Sequence, residues 1–163
     1  MRGSLRDTNV STTNEEAQAE ALREAMIAEL RGLGAIRSEK VAAVVGTVPR
    51  HLFAPGEPLE TVYAPTRAIV TKRDEHGAAI SSLSESHIQA TMLEQAQLEP
   101  GMRVLEIGTG GYNAALIAEL VGESGKVVSV DIDPDIVDRA RPCLVAAPLY
   151  GDLSLWGGHL RQR

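Results

Sequence analysis

RVLEIGTGGYNAALIAELVGESGKVVSVDID, which spans residues 103–133, is the stretch that decides the fold class. Residues 103–107, which are mostly apolar, predict a strand. Residues 112–121 have the pattern of a buried helix that ends at Gly122. A second strand is predicted over residues 126–130 and leads into an acid, Asp131. Strand, glycine turn, helix, strand and acid in this order are typical of a doubly wound α/β sheet that binds an adenosine-containing ligand.

Composition and charge argue against several classes of protein. The 163 residues, 44% of them hydrophobic, suit one globular domain. The formal net charge of -6 argues against nucleic acid as a partner, because phosphate binding draws on clustered lysine and arginine. Gly122 and Glu123 interrupt the longest apolar run, so no segment reaches the roughly 20 residues that a membrane span needs. The single Cys143 and the absence of a secretory leader predict a cytoplasmic protein.

No metal site is expected from the sequence. The histidines lack ligand spacing with one another, and the lone cysteine has no second thiol nearby. The histidines are His51, His76, His87 and His159.

Helical signals fill the front part of the chain. Residues 1–12 are polar and have no periodicity, so we predict a mobile tail there. Thr13 and Glu16 form a possible capping box that would start the first helix. Ser38 is predicted to cap a second helix, and Pro49 to end it.

The middle of the chain mixes irregular and helical patterns. Residues 51–77 hold several prolines and are interpreted as a lid or binding loop with a short strand over residues 68–71. Ser86 and Gln89 form a second possible capping box ahead of the next helix. The last helix is expected to be interrupted early by Pro142.

The glycine turn and two acids are the candidate ligand-binding residues. A ligand at the end of the first strand must approach the backbone closely, and Gly108, Gly110 and Gly111 carry no Cβ that would hold it away. Glu106 lies just before the turn, and Asp131 ends the second strand, where an acid can accept hydrogen bonds from both ribose hydroxyls. The alternative is a tight structural turn beside an acidic cap.

The residues around the turn discriminate between cofactors. Dinucleotide-binding turns need a third glycine for helix packing, and Asn113 occupies that position here. Glu106 adds negative charge beside the site, which disfavours a pyrophosphate. S-adenosylmethionine has no phosphate and carries a sulfonium and an ammonium, so an acidic cradle favours it.

Three motifs in order resemble one family of class I methyltransferases. They are VPRHLFAP at residues 48–55, ISSLSESHIQATM at residues 80–92 and VLEIGTGGYNAA at residues 104–115. They are similar to the motifs VPRHxFVP, QTISQPHIVAxM and VLEIGTGSGYxAA of the protein-L-isoaspartate O-methyltransferases. The resemblance implies a class I methyltransferase Rossmann-like fold, S-adenosyl-L-methionine as cofactor, and a protein or peptide substrate that bears isoaspartate or aspartate.

Two departures separate the sequence from that pattern. The glycine turn reads TGGY where the family has TGSGY, and Glu85 and Ser86 stand where the family has glutamine and proline. Both departures resemble a branch associated with lanthipeptide clusters, whose members methylate an aspartate of a modified peptide.

The resemblance also implies roles for single residues. Ser84 matches the serine that is expected to contact the acceptor carboxylate; the alternative is a loop hydroxyl that caps the next helix. The implied cofactor positions are Glu106, Gly108, Gly110 and Asp131. For Arg50 and His51 we favour a structural role, because an arginine beside a helix end more often pairs with a nearby acid than contacts substrate.

The predicted fold is incomplete. Residues 13–147 are interpreted as the N-terminal part of the methyltransferase domain, with helices and the first strands only, and residues 148–163 as an atypical tail. Gly151 and Asp152 resemble the GD that usually follows the third strand in the family, but they come too soon after the helix. The strand over residues 104–107 would then expose an apolar edge, which invites self-association.

Three functions remain open from the sequence. The first is a carboxyl methyltransferase of the isoaspartyl type, and the second is a class I methyltransferase with another acceptor. The third is a truncated remnant without catalysis.

Overall fold

The structure is a computed structural model that describes residues 4–147 and 152–157, with side chains from residue 14 onward. Its helices are α1 Ser4–Gly32, α2 Glu39–Thr47, α3 Leu59–Val62, α4 Ser86–Ala96, α5 Tyr112–Val121 and α6 Pro134–Ala146, with a 3₁₀ turn at Arg50–Phe53. Its strands are β1 Ile69–Arg73, β2 Ala79–Leu83, β3 Arg103–Ile107, β4 Lys126–Asp131 and β5 Asp152–Gly157.

The main sheet is parallel, with β4 between β3 and β5. Ile107 of β3 pairs with Val130 of β4, so the two strands end side by side. The helix α5 connects β3 to β4, which supplies the crossover that neighbouring parallel strands require. The α/β class predicted from the sequence is confirmed.

The helix α5 is the most deeply buried element. Ala114, Ala115, Ala118 and Val121 are all fully buried, and small side chains of this kind let a helix approach a sheet closely. Its bounds are those predicted, and it ends at Gly122, whose φ of 63° is in the left-handed region.

The start of α1 differs from the prediction. The helix begins at Ser4, so the predicted start at Thr13 is wrong and the backbone is helical over residues 4–12. The prediction relied on apolar periodicity, but a helix can extend through polar residues of adequate helix propensity. Mobility of residues 1–12 stays a prediction. The cap of α2 is confirmed, since Ser38 Oγ accepts a hydrogen bond from Val41 N.

Two other helix predictions are wrong. Glu85 occupies the N-cap position of α4 without a side-chain cap, so Ser86 and Gln89 form no capping box. Gln89 is instead bound by a buried arginine, which competes for its side chain. The helix α6 continues through Pro142 to Ala146, because a proline removes one backbone donor while the flanking turns keep theirs.

The hairpin of β1 and β2 replaces most of the predicted irregular segment after residue 68. The predicted short strand is confirmed as β1, whereas β2 was not predicted. Asp74 Oδ1 accepts hydrogen bonds from His76 N and Ala78 N, and Gly77 has a φ of 82°. Asp74 followed three residues later by Gly77 is the turn signal that could have identified the hairpin.

The predicted atypical tail contains a strand. Residues 152–157 form β5, which pairs in parallel with β4 along its whole length. The sequence pattern showed neither alternation nor helical period there, because pairing with a neighbouring strand, and not local pattern, defines this strand. Residues 148–151 and 158–163 lie outside the described residues.

One face of the parallel sheet is bare within the described residues. Leu105, Ile107 and Trp156 are 62%, 81% and 68% exposed, and Ile107 and Trp156 flank Val130 in the same row. The strand β3 has no partner on its outer edge among the described strands. The predicted unpaired apolar edge is therefore confirmed for this part of the chain.

Glu94 of α4 fastens α4 to the start of α2. Its Oε1 accepts hydrogen bonds from Arg37 N, Ser38 N and Ser38 Oγ at 2.8, 2.7 and 2.9 Å. Burial acts to raise the pKa of Glu94, but the hydrogen bonds from Arg37 and Ser38 outweigh burial and hold the pKa below its usual value. The charged form therefore stabilises the fold.

We expect Glu94→Gln to lower the free energy of unfolding at neutral pH by about 1–2 kcal/mol, because hydrogen bonds to a charged acceptor are lost. The difference should vanish as the pH falls through the lowered pKa of Glu94, since the wild-type carboxyl is then protonated in both states. Urea unfolding over a range of acidic pH measures both effects. Glu20→Gln, at an exposed position of α1, is the control; a difference that persists at low pH would contradict the prediction.

Candidate functional site

The glycine turn after β3 opens at Gly108. Its φ of 90° lies in the left-handed region, and a Cβ built there would meet nothing within 4 Å. Gly108 N donates to Val130 O at 2.8 Å, which holds the turn against the end of β4. The backbone at Gly108 is therefore accessible to a ligand at the carboxyl end of the sheet.

Packing against protein side chains also accounts for glycine at Gly110 and Gly111. A Cβ at Gly110 would lie 2.9 Å from Leu83 Cδ2, and one at Gly111 would lie 3.0 Å from Phe53 Cδ1 and 3.2 Å from Ala140 Cβ. Protein packing therefore fills the space beside both. Gly111 lines neither cavity described below, and its assignment to the cofactor site stays a prediction.

Asp131 lies directly beside the glycine turn. Its Oδ2 accepts a hydrogen bond from Thr109 N at 3.1 Å, and its Oδ1 accepts one from Asp133 N at 2.9 Å. The carboxylate is half-buried, so each oxygen retains capacity for a further donor. The strand pairing brings together the two features that the sequence predicted as a unit.

Glu106 is buried on the α5 side of the sheet. Its Oε1 accepts from Asn113 Nδ2 at 2.8 Å, and its Oε2 accepts from Ser129 Oγ. Burial raises the pKa of Glu106, an effect that the Ser129 and Asn113 hydrogen bonds partly offset. The buried Asn113 Oδ1 has no hydrogen-bond partner within the described residues.

Two cavities flank the turn and meet at Ser82, Gly108 and Gly110. One, of about 390 Å³, lies under the hairpin and extends to Asp131. The other, of about 360 Å³, contains Ser84. Its remaining lining includes Gln89, Met92, Glu106, Ile107 and Asn113. The predicted residues Ser84, Glu106, Gly108, Gly110 and Asp131 are thus brought to one continuous cleft.

Ser84 is exposed in this cleft. Within the residues whose side chains are described, its hydroxyl has no hydrogen-bond partner, and its carbonyl accepts from Arg50 Nη2 at 2.8 Å. The alternative role as a helix cap does not hold, because Glu85 is the N-cap residue of α4. The hydroxyl is free to donate to a ligand.

Arg50 and His51 are structural, as favoured, but their partners differ from the expectation. Arg50 is fully buried and donates to Val62 O, Ser84 O and Gln89 Oε1 without a carboxylate partner in the described part of the chain. His51 Nδ1 lies 2.8 Å from the Tyr63 hydroxyl, and its Nε2 lies 3.7 Å from Glu16 Oε2. The sequence could not show that backbone carbonyls would replace an acid.

Lys72 of β1 ties the hairpin to the start of α6. Its Nζ lies 2.6 Å from Asp133 Oδ2 and 2.7 Å from Asp135 Oδ2. The hydrogen bonds that Lys72 donates to Asp133 and Asp135 raise its pKa. The hairpin forms a wall of the cavity that ends at Asp131, so this contact keeps that wall in place. Residues 69–77 of the predicted lid or binding loop belong to this hairpin, and the role as a lid stays a prediction.

Other predicted features do not join the cleft. Asp152 begins β5 at the amino end of the sheet and lies 3.3 Å from Lys126 Nζ, far from the carboxyl ends of the strands; Gly151 lies outside the described residues.

Across the described side chains there is no group of three or more potential metal ligands. None of the described helices is long and apolar enough to cross a membrane.

The sequence did not identify Gln89 as a cavity residue, and it had interpreted Asn113 only as a missing glycine. Both are polar residues on helices whose neighbours are buried, Gln89 beside Ala90 and Asn113 beside Ala114. A polar residue at a buried helical position is the signal that could have identified them.

A family model matches most of the chain. It is described as protein-L-isoaspartate(D-aspartate) O-methyltransferase and matches residues 21–149. A protein-L-isoaspartate O-methyltransferase 2 of Archaeoglobus fulgidus is 42% identical over 110 residues, which cover 67% of this chain and 47% of that protein. One of Ignicoccus hospitalis is 39% identical over 133 residues, which cover 81% of this chain and 57% of that protein. The chain spans about half the length of these curated relatives.

Solved structures agree with the sequence comparison. A protein-L-isoaspartate O-methyltransferase superposes with a TM-score of 0.71 at 31% identity and covers 84% of this chain and 42% of its own. A Plasmodium falciparum protein, described as a putative protein-L-isoaspartate O-methyltransferase in complex with S-adenosyl-L-homocysteine, has a TM-score of 0.64 at 18% identity. It covers 82% of this chain and 62% of its own and supports the fold alone.

We expect Gly111→Ala to destabilise the protein by about 2–4 kcal/mol, because the residue combines a left-handed backbone with crowding against Phe53 and Ala140. Gly56→Ala is the matched control, since Gly56 has the same φ of 86° but open space around it. The control should cost only about 1–2 kcal/mol. Equal losses of unfolding free energy in the two variants would show that packing does not require glycine at residue 111.

Proposed function

The chain belongs to the protein-L-isoaspartate(D-aspartate) O-methyltransferase family, and we propose that it binds S-adenosylmethionine and methylates a carboxylate of an isoaspartyl or aspartyl residue in a protein or peptide. The observation that carries the proposal is the continuous cleft that runs from Asp131, past Gly108, to Ser84. The chain spans about half the length of its curated relatives.

The residues at both ends of the cleft suit the cofactor. Asp131 has acceptor capacity for the sugar hydroxyls, and Gly108 offers a backbone without a Cβ in the way. Glu106 and Asn113 line the cavity that contains Ser84, and the negative charge of Glu106 fits the sulfonium and ammonium of the cofactor. No residue in the lining would hold a pyrophosphate, since the cleft contains carboxylates and lacks arginine and lysine.

Ser84 is the proposed contact for the acceptor. Its hydroxyl is free and lines the cavity next to the one that ends at Asp131. When bound, S-adenosylmethionine supplies an electrophilic methyl group. An acceptor carboxylate is already ionised at neutral pH, because free carboxyl groups titrate near 4, so no general base is required of the protein. Ser84 would orient the acceptor oxygen by donating a hydrogen bond, and alignment of this kind is where the rate gain arises.

The identity of the methyl acceptor is the most specific part of the proposal. The family acts on isoaspartyl residues of proteins. The shortened turn with Glu85 and Ser86 supports the lanthipeptide-associated branch, which stays a prediction. The cytoplasmic location predicted from the sequence is also part of the proposal.

Titration calorimetry followed by a methanol assay tests the proposal. An isoaspartyl methyl ester loses methanol when the neighbouring backbone nitrogen attacks the ester carbonyl and its proton leaves with the methoxide. We expect heat on adding S-adenosylmethionine and methanol release from an isoaspartyl peptide. Cofactor binding with methyl transfer only to other acceptors would favour a class I methyltransferase with another acceptor. The absence of heat at millimolar S-adenosylmethionine would favour a truncated remnant without catalysis.

We expect Asp131→Asn to weaken S-adenosylmethionine binding about tenfold or more, because a charged acceptor for the sugar hydroxyls is lost. Calorimetry measures the dissociation constant. Asp138→Asn, at an exposed position of α6, is the control and should bind as the wild type does. Equal affinity of Asp131→Asn and the wild type would remove Asp131 from the cofactor site.

We further propose that the bare strand β3 associates with a second copy of the chain. Identical edge strands related by a two-fold axis pair antiparallel, and the apolar residues Leu105 and Ile107 are exposed beside that edge. Leu105→Lys is expected to weaken association at least about tenfold in sedimentation equilibrium, since a lysine at an edge opposes pairing. Val145→Lys, at an even more exposed apolar site on α6, should have no effect. A wild-type chain that stays monomeric at high concentration would contradict this.

A further inference from the structure

Gln89 is a buried polar residue in the wall of the cavity that contains Ser84. Only 6% of its surface is exposed, and it lies on the first turns of α4, directly after the Ser84 loop. The sequence reads HIQATM here, so the glutamine lies between Ile88 and the buried Ala90. A buried glutamine in place of an apolar residue costs free energy unless its polar atoms are used.

The guanidinium of Arg50 determines what Ser84 and Gln89 can offer. Arg50 is fully buried, and its Nη2 donates to Ser84 O at 2.8 Å while its Nη1 donates to Gln89 Oε1 at 2.9 Å. The third contact, from Nε to Val62 O at 2.9 Å, and the ring of Tyr112 4.8 Å from Cζ hold the guanidinium in place. One rigid fork therefore sets the spacing between Ser84 and Gln89.

The orientation of the Gln89 amide follows from this contact. A guanidinium carries only donors, so the oxygen of the amide must face Arg50 and the nitrogen must face away. Within the described side chains Gln89 Nε2 makes no hydrogen bond, and it retains some accessible surface. Because Gln89 lines the cavity, its two amide hydrogens are available there.

We propose that Gln89 is a second binding residue for the acceptor carboxylate, held in its donor orientation by Arg50. The proposal rests on the proposed carboxyl methylation and names a residue of the same site. Ser84 Oγ and Gln89 Nε2 would each donate to the carboxylate, one to each oxygen. Neither residue needs to change its contact with Arg50, because Ser84 uses its carbonyl and Gln89 its amide oxygen there.

The charge behind these donors gives the arrangement its selectivity. Arg50 has no carboxylate partner in the described part of the chain, so its positive charge is compensated only by neutral oxygens and a ring. An anion bound at Ser84 and Gln89 is attracted to that charge, whereas a neutral ester is not. The site therefore favours the carboxylate substrate over its methylated product, which assists product release.

Gln89→Glu separates this role from a structural one. The new carboxylate still accepts from Arg50, so the melting temperature should be retained or raised, but the amide donor is lost and a negative charge faces the acceptor. Gln89→Met matches the volume, leaves Arg50 Nη1 unpaired and should lower the melting temperature. Gln95→Glu, exposed on the same helix, is the control for the added charge.

The probe is an isoaspartyl peptide, and its analogue carries a carboxamide in place of the side-chain carboxylate. Calorimetry with S-adenosylhomocysteine present measures binding of each without transfer. We expect Gln89→Glu and Gln89→Met to weaken binding of the carboxylate peptide about tenfold or more, despite their opposite effects on the melting temperature. Gln89→Glu should also reverse the preference toward the carboxamide peptide, and Gln95→Glu should change neither affinity.

The outcomes separate this inference from the proposed function. Methanol release by the wild type together with unchanged peptide affinity in Gln89→Glu would overturn the inference alone. Peptide binding that depends on Gln89 without methanol release would overturn the proposed function alone. Absence of peptide binding by the wild type, or affinities that follow the melting temperature, would also overturn the inference.

Discussion

The parallel pairing of β3 with β4 is the constraint on which the candidate site depends. Ile107 and Val130 end the two strands in register, and the hydrogen bond from Gly108 N to Val130 O continues the pairing into the turn. Asp131, the next residue of β4, then accepts a hydrogen bond from Thr109 N. A shift of register would separate the open glycine from the acid, so the site exists only because both strands end at the same level.

A second anchor lies on the other side of the cleft. The buried Arg50 connects the end of α3 at Val62, the Ser84 loop and α4. Burial lowers the pKa of Arg50, an effect that the nearby Tyr112 and Tyr63 oppose. Removal of an arginine of this kind would leave several carbonyls unpaired in the core, which explains why such a costly residue is placed there. The acceptor side of the cleft is therefore built on a cation, and the cofactor side on acids.

The bare face of the sheet shows how far the described residues complete the fold. Leu105, Ile107 and Trp156 are exposed on strands that other parallel sheets bury on both faces. The chain spans about half the length of its curated relatives. The contacts among β2, β3, β4 and α4 that form the cleft lie within the described residues, and Leu105 and Ile107 of the bare face also line the cavity that contains Ser84.

The sequence by itself determined the strands β3 and β4, the helix α5 and the acid at Asp131, because short-range apolar patterns and a glycine turn define them. It also predicted Ser84, through a motif of neighbouring residues. It could not show β2 or β5, whose patterns become strands only through pairing, or that Gly111 is required by Phe53 and Ala140. Tertiary structure alone decided the partners of Arg50 and the orientation of Gln89, because those residues lie 39 positions apart and meet only when the chain is folded.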